Sequence, residues 1–472
     1  MPTVSELLEA LPAEKTKAVE TPSAQSSGFQ AIFDSLAHRR VPTGGLQRFC
    51  SISGLSAKLG MAYLAWWIRS WYKPAEASEK DLLETNLRSA LNTLETMGYL
   101  RGAITKVGQL LTNFPESVPA EFVDVLGSLH FQAPPMHFSL IREQLLNELG
   151  DTEDLFSQID ETAMAAASIG QVHRARLKTG EDVAIKIQYP GIGRTIQADL
   201  RNLKMLMRPM LFNSDWRALE ETFEEVRTGL ESETDYENEA KNLSDVAQLF
   251  QDDDEIVVPH VIEHASSRRV LTMEFVPGRT MDQFLAADPT QLQRDDYGER
   301  ISRALYRVFL NRMLYTDAHP GNFIFMDDNR LGFIDFGNVR RFTAAEWNYH
   351  CDVSRARDGT DEDAEAICIR SLRMTDEDAQ KHRETLELVI EGFHYYNEPV
   401  MFEGEFDYGD PRYIRRGAEW LARVSKQRWL RQEPVNVFAH RLNFQVPALL
   451  YLMKSRVNVH RLVQELGNEL PS

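Results

Sequence analysis

Three short segments carry polar residues at spacings suited to binding and activating a phosphate group. The first is the run VAIK, a predicted strand that ends at Lys186. The second is TDAHPGN, in which Asp317 and Asn322 are separated by four residues. The third is FIDFG, in which a predicted strand delivers Asp335. A lysine, an aspartate, an asparagine and a second aspartate, in this order along the chain, are the side chains needed to hold the phosphates of a nucleotide.

Each of these side chains has a distinct role in such a site. Lys186 would neutralise the α- and β-phosphates of ATP, and Asp317 would accept or orient the proton of an attacking hydroxyl or water. Asn322 and Asp335 would hold Mg²⁺. We interpret His319 as a loop-structuring residue, because the neighbouring groups already fill the catalytic roles. Any one motif can arise by chance, but all three in this order and context favour a kinase-like ATP site.

The surrounding pattern predicts the elements that position these residues. From about residue 160, the runs SIGQVHRARL and DVAIKIQY read as strands joined by a KTGE hairpin. A polar helical stretch covers about 194–250, and IVVPHV and RRVLTMEFV are further strand candidates. Beyond about 280 the pattern is mostly helical, with loop and strand residues around 315–340. We therefore expect a small β-rich lobe followed by a larger helical lobe.

Two further segments of this pattern are expected to border the nucleotide site. The RRVLTMEFV strand ends in a segment whose backbone, at Glu274 and Val276, would hydrogen-bond adenine in a kinase-like fold. Between Asn322 and Asp335, the run FIFMDDNRLGFI predicts two strands around a DDNR turn. That hairpin would connect the catalytic loop to the metal-binding aspartate.

Composition limits the classes of partner. The 472 residues carry a formal net charge of −19, which disfavours nucleic acid as a partner. The three cysteines lie far apart and form no CxxC pair, which favours a reducing compartment without a disulfide framework. The first residues lack the basic and apolar regions of a secretory signal.

One segment departs from the acidic average. Between Asp34 and Glu76 there is no acidic residue, and the run Ile52–Trp71 is apolar, rich in tryptophan and flanked by cations. Two interpretations stay open: a helix at a membrane interface, or a helix that covers a groove on the protein's own core. Lys58 and Arg69 make a membrane-spanning helix a poorer interpretation than either.

Further motifs identify a family. KVGQ at Lys106–Gln109, AAAS at Ala165–Ser168 and ETDYENEA at Glu233–Ala240 accompany TDAHPGNF and IDFG. With these motifs the sequence resembles the UbiB/AarF family of atypical kinases from about residue 38 to 460. It is most similar to the branch of that family that acts in coenzyme Q biosynthesis.

The resemblance implies an α+β, protein-kinase-like fold of two lobes, a small β-rich N-lobe and a larger helical C-lobe, with a helical KxGQ extension. It implies Mg²⁺-dependent binding of ATP or ADP and a slow, lipid-stimulated ATPase activity that supports ubiquinone biosynthesis at a membrane. Phosphorylation of other proteins is not expected. The implied nucleotide-binding residues are Ala165, Ala166, Ala167, Ser168, Lys186, Glu239, Glu274 and Val276. The implied regulatory residues of the KxGQ and ExD motifs are Lys106, Gly108, Gln109, Glu233 and Asp235.

The resemblance also implies pairings and boundaries. Lys186 would pair with Glu239, and Lys106 with Glu233 or Asp235. The expected segments are a flexible N-terminus (1–28), a basic amphipathic segment (29–78), the KxGQ helical extension (79–155), the N-lobe with a helical ExD insertion (156–277) and the C-lobe (278–472).

The residues themselves give these implications a physical reason. The long interval from Lys186 to Glu239 requires an insertion, which we place at 194–230. After Gly337, a capping box at Thr343–Glu346 starts a helix at once, and no APE string follows, so a platform for protein substrates is missing. Alanines in place of glycines in the AAAS loop predict a stiffer loop that disfavours phosphoryl transfer to a protein, unless they simply begin the next strand.

Three functions use these residues. The first is a membrane-associated ATPase, with a membrane surface, an isoprenoid lipid or quinone-biosynthesis proteins as partners besides the nucleotide. The second is a small-molecule or lipid kinase, and the third is a scaffold switched by nucleotide without turnover. We expect a peripheral membrane location, cytoplasmic in a bacterium and at the mitochondrial inner membrane in a eukaryote.

Overall fold

The computed structural model describes residues 136–167, 169–190, 192, 227–228, 231, 233–424 and 445–469. Several predictions fall outside the described residues: the basic segment, Lys106, Gly108, Gln109, Ser168 and most of the 194–230 insertion. The described residues fall into two compact units. The first unit contains the described residues of the ranges Met1–Ile141, Ala165–Gln171 and Gln188–Glu231. The second unit contains the described residues of the ranges Arg142–Met164, Val172–Ile187 and Ser232–Ser472.

The α-helices among the described residues are, in chain order, α1 Phe138–Leu149, α2 Tyr236–Leu249, α3 Met281–Ala286, α4 Gln291–Leu310, α5 Ala344–Arg357, α6 Asp361–Ser371, α7 Asp376–Lys381, α8 Arg383–Met401, α9 Pro411–Val424, α10 445–453 and α11 Val459–Glu469. Single 3₁₀ turns occupy Glu263–Ala265 and Pro320–Asn322. None of the helices in this part of the chain combines the length and apolar content needed to cross a bilayer.

The strands are β1 Phe156–Ile159, β2 Ala165–Ala166, β3 Gly170–Leu177, β4 Asp182–Gln188, β5 Ile256–Val257, β6 Val270–Glu274, β7 Met313–Tyr315, β8 Phe323–Phe325, β9 Leu331–Phe333, β10 Val339–Arg341, β11 Phe406–Asp407 and β12 Arg456–Val457. The largest sheet runs in the order β1-β3-β4-β6. Smaller sheets pair β7 with β10, β11 with β12, and β5, β9 and β8 in that order.

The predicted KTGE hairpin is confirmed. The Leu177 N–H donates to the Glu181 carbonyl at 2.9 Å, and Gly180 adopts a φ of +101°, which glycine reaches without a Cβ clash. β4 then pairs antiparallel with β6, from Val183 opposite Glu274 to the other end of the strand. The hairpin and this pairing place the VAIK lysine in the middle of the sheet.

The DDNR hairpin is also confirmed. β8 and β9 pair antiparallel, and Asn329 turns the chain with a φ of +67°. The predicted IVVPHV strand is shorter than expected, because only β5 forms and pairs parallel with β9. Pro259 explains the difference, since it has no N–H to continue the ladder.

Helix α4 organises the main core. A capping box between Thr290 and Gln293 starts it, and its buried residues recur at helical spacing. Near its start, the Tyr297 ring packs against Phe284 and Phe325, with ring centroids 5.0 and 4.8 Å away. This packing anchors strand β8, which follows the catalytic loop.

Candidate functional site

The VAIK lysine is held by two carboxylates. The Lys186 Nζ donates to Glu239 Oε1 at 2.6 Å and to Asp335 Oδ2 at 3.0 Å. The predicted Lys186–Glu239 ion pair is therefore present. The Glu239 side chain is 3% exposed, whereas that of Asp335 is 37% exposed. Of the two carboxylates, Asp335 is the one that solvent and ligands can reach.

The pKa values of both members of the pair are raised. Burial alone would lower the pKa of Lys186, but the negative charges of Asp335 and Glu239 outweigh it and raise that pKa well above its usual value. Burial raises the pKa of Glu239 to about 7, against the opposing effect of Lys186, and Asp335 adds to the rise. Lys186 thus stays charged at neutral pH and can meet phosphate oxygens.

Helix α2 brings Glu239 to the lysine. Asp235 is its N-cap, and the carboxylate accepts from the Asn238 N–H at 3.2 Å. The Tyr236 N–H donates to the Arg268 carbonyl at 3.1 Å, which fixes the start of the helix. The Tyr236 ring centre lies 5.2 Å from Lys186 Nζ, so this ring covers one side of the ammonium group.

The same helix is fastened to the segment that contains Asp335. The Asn242 Nδ2 donates to the Phe336 carbonyl at 3.2 Å, and both residues are buried. Arg341 donates to the Asn242 Oδ1 at 3.3 Å and forms a salt bridge with Asp245. These contacts hold the DFG segment against the helix that supplies Glu239.

The ExD acid Glu233 also contacts this segment. Its buried carboxylate accepts from Asn338 Nδ2 at 3.0 Å, just after the DFG residues. The predicted pairing of Lys106 with Glu233 or Asp235 involves a residue outside the described range and stays a prediction. In the described part of the chain, Glu233 anchors the segment after the DFG residues through Asn338, and Asp235 caps the start of α2.

The catalytic loop is fixed mainly through its backbone. The Thr316 N–H donates to the Asn338 carbonyl at 2.9 Å, and the His319 N–H to the Asp317 carbonyl at 2.8 Å. The His319 ring Nδ1 accepts from the Gly321 N–H at 3.1 Å, which confirms its predicted loop-structuring role. The Ala318 N–H donates to Gln445 Oε1 at 3.0 Å, so α10 also supports this loop.

Asn322 and Asp335 flank the two strands of one hairpin, since Asn322 directly precedes β8 and Asp335 follows β9 by two residues. The Ile334 N–H donates to the Asn322 carbonyl at 3.1 Å, which places the two predicted metal ligands side by side. The Asn322 Nδ2 donates to Tyr315 Oη at 2.7 Å and to the Asp317 carbonyl at 2.8 Å. The amide oxygen of Asn322 takes no part in these two bonds.

This donor set fits a magnesium ion. Mg²⁺ prefers oxygen ligands and keeps several waters or phosphate oxygens, so one carboxylate and one amide are a sufficient protein contribution. Among the described residues, no group of three or more His, Cys, Asp or Glu side chains forms an all-protein metal cage. The half-exposed Asp335 and the amide oxygen of Asn322 are the groups that would hold the ion.

The adenine-side residues lie at the end of β6. The Glu274 N–H donates to the His260 carbonyl at 3.0 Å, and its carboxylate accepts from the His260 N–H at 2.9 Å. A Cβ added to Gly332 would lie 2.6 Å from Val276 Cγ1, so the Val276 side chain packs closely over strand β9. The backbone contacts of Glu274 and Val276 with adenine stay predictions.

The alanine loop belongs to the first compact unit. Ala165 and Ala166 form the short strand β2, and the Ala167 N–H donates to the Gly170 carbonyl at 2.9 Å. The alanines therefore take part in strand and turn structure next to β3. Their predicted contact with nucleotide stays a prediction.

Sequence reasoning missed four supporting residues: Asn242, Tyr315, Asn338 and Gln445. Asn242 carried a usable signal, because it follows Glu239 by three residues and so lies on the same helical face. The other three residues contact groups that are distant in sequence or separated from them by a loop. No spacing of residues within one segment predicts those contacts.

Comparisons with known proteins show which family this chain is similar to. A family model for the ABC1 atypical kinase-like domain matches residues 128–365, or 238 of the 472 residues. Atypical kinase COQ8B, mitochondrial, of Rattus norvegicus is 29% identical over 86% of this chain and 77% of the relative. Atypical kinase COQ8, mitochondrial, of Saccharomyces cerevisiae is 32% identical over 66% of this chain and 62% of the relative. The chain thus spans 77% and 62% of the length of these two relatives, and 53% of the length of a Danio rerio COQ8B.

A solved structure is similar as well. The Mycobacterium tuberculosis protein Rv3197, in complex with erythromycin, matches with 28% identity and a TM-score of 0.55. The match covers 83% of this chain and 100% of that chain. Together these matches confirm the predicted α+β, kinase-like fold.

Proposed function

Because the chain belongs to the ABC1 atypical kinase-like family, we propose that it binds Mg-ATP at Lys186, Asn322 and Asp335. In this proposal Asp317 acts on a water or on the hydroxyl of a small acceptor, so the reaction is ATP hydrolysis or phosphoryl transfer to a small molecule. The observation that carries the proposal is the cluster in which the buried Lys186 contacts the buried Glu239 at 2.6 Å and the partly exposed Asp335 at 3.0 Å.

The residues divide the work as follows. Glu239 holds Lys186 in place, and Lys186 meets the α- and β-phosphate oxygens. Mg²⁺, when bound by Asp335 and Asn322, supplies charge neutralisation on the phosphates. Asp317, held by its backbone contacts in the catalytic loop, accepts or orients the proton of the attacking group.

The local structure after the DFG residues supports a small acceptor rather than a protein. The capping box predicted at Thr343–Glu346 is present, and α5 begins at Ala344, seven residues after Gly337. Arg340 also forms a salt bridge with Glu346, which ties this short connection to the helix. A connection of this length has no room for a long activation segment that could hold a peptide.

For the biological role, we propose support of ubiquinone biosynthesis at a membrane. The COQ8 relatives are named mitochondrial atypical kinases, and the sequence motifs resemble the coenzyme Q branch of the family. The basic segment 29–78 would meet the membrane surface or an isoprenoid lipid, and lipid would stimulate turnover. The division into a KxGQ extension (79–155), an N-lobe (156–277) and a C-lobe (278–472) belongs to the same proposal.

The test is turnover of Mg-ATP with product analysis. Purified full-length protein is incubated with [γ-³²P]ATP, with and without anionic liposomes and an isoprenoid phenol, and both inorganic phosphate and labelled lipid are measured. Lipid-stimulated phosphate release supports the ATPase, and a labelled lipid moves the assignment to a lipid kinase. Asp335→Asn should abolish either signal, whereas Asp328→Asn, in the exposed turn of the same hairpin, should leave it unchanged.

Nucleotide binding without either product would favour the alternative, a scaffold that switches on binding alone. Failure to bind Mg-ATP at all would overturn the proposal.

A further inference from the structure

The residue two positions before the catalytic aspartate is a buried tyrosine. Tyr315 ends strand β7, is 2% exposed and pairs with Val339 of β10. Its ring centroid lies 4.8 Å from that of Phe333 and 6.0 Å from that of Phe336, the phenylalanine of the DFG segment. The ring is therefore held by the same aromatic cluster that positions Asp335.

The hydroxyl of this tyrosine makes a specific contact with the site. Tyr315 Oη accepts from Asn322 Nδ2 at 2.7 Å, and the Asp317 carbonyl accepts from the same nitrogen at 2.8 Å. A backbone carbonyl only accepts hydrogen bonds, so the atom that faces it must be the amide nitrogen. With both N–H groups of the amide directed to these acceptors, the amide oxygen must point the other way.

From this geometry we propose that Tyr315 is a positioning residue for the metal site. Its hydroxyl fixes the rotation of the Asn322 amide so that the oxygen, rather than the nitrogen, faces the bound cation. This inference rests on the proposed function, because it assumes that Asn322 is a ligand of Mg²⁺. It adds a residue outside the lysine, aspartate and asparagine motifs and couples Asn322 to Phe336 through one ring.

Removal of the hydroxyl alone should free the amide to rotate. Tyr315→Phe keeps the ring and its packing, but leaves one N–H of Asn322 without its acceptor. Loss of a group that orients a metal ligand weakens metal affinity by about 10–100-fold. We expect an effect of about tenfold here, because the Asp317 carbonyl still holds the other N–H.

The experiment measures cation binding rather than turnover. Mn²⁺ replaces Mg²⁺, and free Mn²⁺ is followed by electron paramagnetic resonance while full-length protein saturated with ADP is titrated. Tyr297→Phe is the matched control, because Tyr297 is also a buried tyrosine of this core and its hydroxyl donates to the Met326 carbonyl at 2.9 Å. ADP affinity in EDTA is measured for each variant in parallel.

The proposal expects Mn²⁺ affinity to fall about tenfold in Tyr315→Phe and to stay unchanged in Tyr297→Phe, with metal-free ADP affinity equal in both. In an Asn322→Ala background, Tyr315→Phe should change Mn²⁺ affinity by less than about twofold, because the residue acts through Asn322. Equal Mn²⁺ affinity in the wild type and Tyr315→Phe would overturn this inference while leaving the nucleotide site intact. Absence of any ADP binding by the wild type would overturn the proposed function with it.

Discussion

Replacement of Glu239 by glutamine should make the protein relatively more stable as the pH rises, while it weakens nucleotide binding. Glutamine keeps the shape of the side chain and an oxygen that accepts from Lys186, but it removes the buried negative charge. The pKa of Glu239 is raised from 4.5 to about 7 in the folded protein, chiefly because burial disfavours the charged form. A shift of this size corresponds to roughly 3 kcal/mol of free energy that the charged form loses on folding.

The sign of the pH dependence follows from that shift. Between pH 4.5 and about 7 the folded state binds the proton more tightly than the unfolded state, so Glu239 makes the wild type less stable as the pH rises. Glutamine has no such proton. Relative to the wild type, Glu239→Gln should therefore gain roughly 3 kcal/mol of unfolding free energy between pH 4.5 and pH 8.

Urea unfolding at a series of pH values measures this difference. Glu237→Gln is the matched control, because Glu237 lies on the same first turn of α2 but is exposed. In the same samples, Glu239→Gln should weaken binding of a fluorescent ATP analogue, since Lys186 loses one of the two charges that hold it. A difference between variant and wild type that stays flat from pH 4.5 to 8 would refute this reasoning.

Three further substitutions test other parts of the molecule. Asp317→Asn should lower phosphate release by about 10²–10⁴-fold with ATP affinity unchanged in calorimetry; unaltered turnover would remove Asp317 from the mechanism. Burial lowers the pKa of His350 to about 4. As the pH falls from 6.5 to 4, the unfolding free energy of the wild type, measured with urea, should therefore drop by roughly 3 kcal/mol relative to that of His350→Phe, and no such drop would contradict the burial of His350. A Cβ at Gly392 would lie 2.3 Å from Trp420 Cζ2. We expect Gly392→Ala to reduce unfolding free energy by about 1–3 kcal/mol without changing ATP affinity, and equal stability would contradict the packing.

The local features of the fold could be predicted from the sequence. The KTGE and DDNR hairpins and the helix that starts after Thr343 each depend on turn or capping residues that lie next to one another. The IVVPHV run was predicted as one strand, but Pro259 cannot donate to a ladder, so Ile256–Val257 pairs with β9 while Val261, beyond the proline, forms only an isolated bridge with Met273 of β6. Alternation of apolar residues alone does not reveal where the ladder ends.

The motif residues of the site were predictable because their spacing reflects a chemical task. Their supports were not, because those contacts join distant parts of the chain. The Ala318 N–H meets Gln445, 127 positions away, and Asn242 meets the Phe336 carbonyl, 94 positions away. Such pairs are set by how helices pack on the hairpin, and no pattern within one segment records that packing.

The central claim is tested most directly by calorimetric titration of ATP into the full-length protein, with Mg²⁺ and then with EDTA. The wild type should bind ATP more tightly with Mg²⁺ than without it. In Asp335→Asn, the ATP affinity measured with Mg²⁺ should fall by about 10–100-fold, because Asp335 is the more exposed of the two carboxylates that contact Lys186. Equal affinity of the wild type with and without Mg²⁺, or a metal-dependent gain that survives in Asp335→Asn, would contradict the assignment.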